Sequence, residues 1–153
     1  TSSKQPSLAP KQLRNAILKT IMPAKAIMFL GGLYGLLAVL LGAFAAHGLR
    51  DVVSDDSLSS WRTAVNYQMS HALVLLFTGL WRQLGGPRLL SVAGSLFSIG
   101  VLAFSGSIYL LVLLEVPWMG PLTPLGGLSL IGGWLCLCLA VLRSKDLTPK
   151  QDL

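Results

Sequence analysis

The chain has 153 residues, of which 53% are hydrophobic and 12% charged, and a formal net charge of +6. This is too apolar for an ordinary soluble domain, and the length leaves room for one domain only. The basic excess does not mark a nucleic-acid binder: Lys and Arg stand between and beside long apolar runs, as the flanks of membrane spans do.

Three regions follow from the patterning: residues 1–22, a polar tail with a basic amphipathic segment; 23–143, a membrane domain; and 144–153, a second polar tail. Thr1 to Ala9 is Ser/Pro-rich. From Pro10 to Met22, Leu13, Ile17 and Ile21 form one stripe, with Lys11, Arg14 and Lys19 elsewhere. Pro10 suits a first helical position and Pro23 ends the pattern. The segment is too short to span, and it reads as a short N-terminal amphipathic helix on an anionic membrane surface. Part of an organelle-targeting sequence and a solvated basic tail are the rival readings.

Four apolar runs predict an all-α fold, a four-transmembrane-helix bundle with spans at about 25–46, 61–82, 89–114 and 123–143. In the first, Gly31, Gly35 and Gly42 are spaced for close helix contact in lipid. Arg50 to Ser60 is expected to be a polar loop. The second span, from Trp61, carries Asn66, Tyr67, Ser70 and His71 on one arc, with Val65, Met69, Ala72, Leu73, Leu76 and Leu80 on the opposite one. Gly85-Gly86-Pro87 is a turn. In the third span Ser91, Gly94, Ser98, Ser105 and Tyr109 repeat on a narrow stripe suited to a buried seam. Thr123-Pro124 reads as a cap followed by Pro at the first helical position of the fourth span, where Gly126 and Gly133 are further contact glycines. Cys136 and Cys138 lie two apart on a helix, point to different faces and do not pair.

Orientation follows from charge. With both termini and the Gly85-Gly86 turn on one side, that side holds ten of the twelve Lys and Arg. The other side holds Arg50 and Arg62 with four of the six acids. The positive-inside bias places both termini inside, N-in/C-in.

Trp61 then marks the outer interface, and His71, ten residues on, lies about 15 Å deep in a core of ~30 Å. His47, Asn66, Tyr67, His71, Ser105, Tyr109 and Thr123 are expected to gather in the outer half, with Tyr67, Ser105 and Tyr109 the neighbours of His71. Such a cluster is either structural, joining helices by hydrogen bonds of about 0.6–2 kcal/mol each, or the polar part of a lipid, quinone or small-ligand pocket. A haem between two histidines fits poorly. His47 is about 33 Å along the first span from Lys25, whereas His71 is near the middle of the second. No set of His, Cys, Asp and Glu has metal-ligand spacing, and no phosphate loop or nucleophile motif occurs. No catalytic residue, metal or cofactor is therefore implied.

Gly42-Ala43-Phe44-Ala45-Ala46-His47-Gly48-Leu49, Tyr67-Gln68 with His71-Ala72-Leu73, Phe104-Ser105-Gly106-Ser107-Ile108-Tyr109, and Thr123-Pro124-Leu125-Gly126-Gly127 followed by Gly133-Trp134 form an ordered set of motifs. In these the chain resembles the YgdD-like family of small four-span proteins of bacterial inner membranes, with animal relatives called transmembrane protein 256. It departs at Ala45, where that pattern has glycine, and in the extension before Met22. The resemblance implies the four-span topology and no established activity. The expected function is that of a non-enzymatic integral membrane protein, an accessory or assembly subunit of a larger membrane complex, with the lipid bilayer and other membrane-protein subunits as partners and no nucleic acid. The alternative is a bundle that binds or transports a small ligand, lipid or quinone through the outer-half polar cluster. The expected location is the bacterial inner (plasma) membrane, or alternatively the mitochondrial inner membrane.

Overall fold

The computed structural model describes residues 22–115 and 120–144. The amphipathic segment expected from Pro10 to Met22 therefore falls outside the described residues, Met22 excepted. Four helices account for nearly all the rest: α1 (Ala24–His47), α2 (Asp55–Gln83), α3 (Leu89–Leu114) and α4 (Leu122–Arg143). No strand occurs among the described residues.

The chain runs up and down. Gly79, late in α2, packs on Ala24 and Met28 at the start of α1, while Trp61, early in α2, donates its indole N–H to the Leu41 carbonyl near the end of α1. The α2–α3 pair is held in the same antiparallel sense, from Arg82 with Ser91 at one end to Ala64 with Ser105 towards the other. The α3–α4 pair runs from Ser107 with Thr123 to Phe97 with Gly133.

α1, α3 and α4 are each long and apolar enough to cross a membrane. The 24 residues of α1 reach about 36 Å at 1.5 Å per residue, against a hydrocarbon core of about 30 Å. Their large apolar side chains, Phe29, Leu36, Leu102 and Leu142 among them, point outward. Such a surface suits a lipid solvent and would be anomalous in water.

Two helix starts differ from the sequence reading. α2 begins at Asp55, inside the expected 50–60 loop, because Ser54 caps it: its hydroxyl accepts from the Ser57 N–H, and Asp55 and Asp56 lie against the positive end of the helix dipole. α4 begins at Leu122 with Pro121 in the cap position, so Thr123 is not the cap. Its hydroxyl instead meets the Ser107 hydroxyl of α3 at 2.7 Å, a partner that only the fold supplies. In the α2–α3 turn Gly85 takes φ +94°, a left-handed conformation that glycine adopts without the steric cost of a Cβ.

Close approach is set by glycine. A Cβ at Gly31 would stand 2.9 Å from both the Ala72 carbonyl oxygen and the Leu76 nitrogen of α2. One at Gly126 would collide with the backbone nitrogen of Phe104, so α4 rests directly on the main chain of α3. Gly94 receives Ile27, and Gly133 receives the Phe97 ring. Gly35 and Gly42 are less tight, with Ala72 Cβ at 3.8 Å and a Val65 methyl at 3.4 Å. Gly79 and Gly100, unmarked in the sequence reading, are contact glycines too, against Met28 and Leu130. Dispersion and hydrogen bonds must hold helices together in lipid, where burial against water supplies no driving force, and both weaken steeply with separation.

Candidate functional site

The buried side of α2 is a regular seam: Trp61, Ala64, Gln68, His71, Ala72, Leu75, Thr78 and Gly79 recur at spacings of three and four. Gln68 lies at its centre, 4% exposed. Its Nε2 donates to the Tyr34 carbonyl of α1 at 2.9 Å, and its Oε1 accepts from the Tyr109 hydroxyl of α3 at 3.0 Å. Tyr34 in turn donates from its hydroxyl to the Ser98 carbonyl of α3 at 3.0 Å. One side chain thus ties three helices. Ser105 donates to the Ala64 carbonyl at 2.8 Å, and Tyr109 lies against the fully buried Trp61 ring, centroids 4.5 Å apart.

His71 belongs to a second group. Its Nδ1 lies 2.8 Å from the Tyr67 carbonyl one turn earlier, and its Nε2 lies 3.2 Å from the Trp134 indole nitrogen of α4. The carbonyl can only accept and the indole N–H can only donate, so the ring is the neutral tautomer with its proton on Nδ1. Phe97 and Trp134 stand edge-on to one another at 5.5 Å, with the His71 ring about 6 Å from each. Tyr67 covers the group from outside, against Phe104 at 4.6 Å. A third, smaller group joins α3 to α4 through Ser107 with Thr123 and through Ser129 with the Leu96 carbonyl.

The residues expected to converge are divided among these groups. Tyr109 lies in the Gln68 chain, Ser105 beside it on the Ala64 carbonyl, His71 and Tyr67 in the aromatic group, and Thr123 in the third. Ser105 and Tyr109 bond other partners than His71. His47 and Asn66 are exposed and join none. The polar arc of α2 is rotated from its expected place: Asn66 and Ser70 face outward, Ser70 bonding the Asn66 carbonyl, while Ala72 is buried against α1. Small residues at 64 and 72 let neighbours approach, and that contact fixes the face. Gln68, Ser107 and Trp134 stand in the sequence motifs and Tyr34 in none of them, and all four carry the network without having been expected among the converging groups. The spacing of Trp61, Ala64, Gln68, Ala72 and Leu75 is the signal that would have found Gln68. Trp134 stands in the fourth-span motif, but nothing along α1 or α4 says that Tyr34 or Trp134 bonds a neighbouring helix before the helices are assembled.

Almost every buried polar side-chain atom among the described residues has a partner, the Thr78 hydroxyl being the exception. Among the same residues no three His, Cys, Asp or Glu side chains converge. Cys136 and Cys138 are free thiols.

An all-helical bundle with three membrane-crossing helices, its interior joined by short polar links, defines a small integral membrane protein. The chain belongs to the family described as "Protein of unknown function (DUF423)", whose model matches residues 41–127, more than half of it. It is similar to a UPF0382 membrane protein of Staphylococcus epidermidis, 45% identical over 121 residues that cover 78% of this chain and 97% of the relative. It is also similar to the UPF0382 membrane protein YwdK of Bacillus subtilis, 40% identical over 120 residues covering 78% and 98%. No solved structure matches the chain.

Proposed function

We propose that the protein is a non-enzymatic four-span protein of the plasma membrane that serves as an accessory or assembly subunit of a larger membrane complex. The observation that carries this reading is the saturation of the interior: the polar groups of α1, α2 and α3 bond one another, and His71 has both ring nitrogens engaged by the protein. Groups so engaged hold helices together and are not themselves poised as nucleophile, base or ligand set. What the chain offers a partner is its broad apolar outer surface.

α2 is taken as the fourth span because it runs beside α1 along nearly its whole length, from Gly79 on Ala24 to Trp61 on Leu41. The charge bias supports an inner face bearing Lys25, Arg82, Arg88 and Arg143. The bacterial relatives, named membrane proteins, favour the plasma membrane, and none favours the mitochondrial alternative. A ligand held by the polar cluster is the weaker reading, since its groups already bond one another.

Two measurements test this. On a background with Cys136 and Cys138 replaced, a cysteine at Ser57 reacts with an impermeant maleimide from outside and one at Ser144 only from inside; labelling of both from one side overturns the topology. Mild detergent extraction followed by crosslinking recovers the chain with other membrane proteins. A monodisperse monomer with no crosslinked partner overturns the subunit role.

A further inference from the structure

Past the His71–Trp134 contact, α2 and α4 continue side by side in sequence sense towards their C-terminal ends. Between them lies a cavity of about 340 Å³, open on one side and walled by Phe77, Leu80, Trp81, Leu84, Leu137 and Val141. The walls are almost wholly apolar, and the volume is at the small end of the roughly 300–1,000 Å³ of ligand clefts. In water such a cleft would be closed by collapse; in a bilayer it is a slot for hydrocarbon.

The end of the bundle near which it lies is cationic. Arg82 and Arg143 lie in the last turns of α2 and α4, Arg88 stands just before α3 and Lys25 near the start of α1. The acids among the described residues, Asp51, Asp55, Asp56 and Glu115, all stand at the opposite end. Residues 145–153 add two lysines and two aspartates and leave the balance unchanged. Arg82 is held by the Ser91 hydroxyl and the Gly86 carbonyl, whereas Arg88 and Arg143 are exposed.

We propose that this cleft holds one acyl chain of an anionic phospholipid, whose phosphate is bound at the basic rim of this end of the bundle, where Arg143 and Arg88 are exposed. Charge complementarity selects this occupant. Residues 10–21 of the chain carry Lys11, Arg14 and Lys19 and no acid, so the rim repels them. A second copy inserted in the same sense brings an identical rim and sets like charge against like. A lipid supplies both the hydrocarbon and the opposite charge, the chemistry that basic sites between membrane helices recognise. The inference goes beyond the subunit role and depends on the four-span reading only for which leaflet supplies the lipid.

The test is run in detergent, where topology has no influence. The full chain, delipidated, is titrated with palmitoyl-oleoyl phosphatidylglycerol or with the phosphatidylcholine of the same chains, and bound lipid is counted by native mass spectrometry. The expected result is one phosphatidylglycerol per chain, held about tenfold more tightly than phosphatidylcholine. Arg143→Gln lowers phosphatidylglycerol binding about fivefold and leaves phosphatidylcholine unchanged. Val141→Trp, which fills the cleft from an exposed position, lowers binding of both while far-UV circular dichroism retains the helix content. Equal binding of the two lipids overturns the proposal, as does a phosphatidylglycerol preference that survives Val141→Trp. Conversion of a dimer to monomers by Val141→Trp, or release of residues 1–21 to protease, would assign the cleft to a second copy or to the chain's own segment instead.

Discussion

The Tyr109 hydroxyl of α3 donates to Oε1 of Gln68 on α2 at 3.0 Å, and the same amide donates at 2.9 Å to the Tyr34 carbonyl of α1. Gln68→Leu removes both bonds and strands the Tyr109 hydroxyl, a loss of about 1–3 kcal/mol. Tyr109→Phe in the Gln68→Leu background recovers part of it, with a coupling of about 0.6–2 kcal/mol between the two sites. Unfolding of the four proteins in mixed micelles measures the cycle, and strictly additive losses would show that the bond contributes nothing.

Gly31 and Gly32 make a matched pair. A Cβ at Gly31 meets α2 backbone at 2.9 Å, whereas one at Gly32 meets nothing within 4 Å. Backbone cannot step aside as a side chain can, so Gly31→Ala separates α1 from α2 and destabilises by about 1–3 kcal/mol. Gly32→Ala is neutral or stabilising, by up to about 1 kcal/mol, because alanine is the better helix former. Thermal unfolding of the two variants side by side decides it; equal effects would mean that the helices are not in contact there.

Trp134→Phe keeps an aromatic ring beside Phe97 and deletes the donor to His71 Nε2. The Tyr67 carbonyl still holds the proton on Nδ1, so the tautomer persists while the Nε2 resonance moves towards that of an unbonded nitrogen. Histidine-labelled ¹⁵N spectra read both nitrogens directly. A shift confined to Nδ1 would place the indole bond on the wrong nitrogen.

Thr78 has a fully buried hydroxyl without a partner, and its side chain matches valine in shape. Thr78→Val removes the unsatisfied group and raises stability by about 1 kcal/mol, since a lone buried hydroxyl costs roughly 1–3 kcal/mol on mutational scales. A drop in stability on this change would reveal a bonding partner for the hydroxyl.

What the sequence determined by itself was the material of the bundle. Apolar runs, three of them in helices long and apolar enough to span, the turn glycines at 85 and 86 and the sorting of charge to the two ends mark four helices, because length and hydrophobicity are properties of a segment alone. The Ser91, Gly94, Ser98 and Ser105 stripe of α3 was legible for a related reason: small residues at helical period have a use in a seam and none facing lipid. The start of α2 at Asp55 was also written locally, in Ser54 and the two aspartates, although a long run of polar residues resembles a loop.

The tertiary structure decided which polar groups meet. Asn66 and Gln68 are both amides on one helix, and composition cannot say that Gln68 turns inward to Tyr34 and Tyr109 while Asn66 turns out. That choice rests on the rotation of α2, which is set by where Ala64 and Ala72 let neighbouring helices close in. Trp134 reaches His71 from 63 positions away because α4 lies on the backbone of Phe104 at Gly126. The cleft beside Leu137 is walled by α2 on one side and α4 on the other, and such a cleft belongs to a pair of helices, never to one. Local chemistry chose the helices, and the close packing of glycine and alanine against facing backbone chose which of their faces meet.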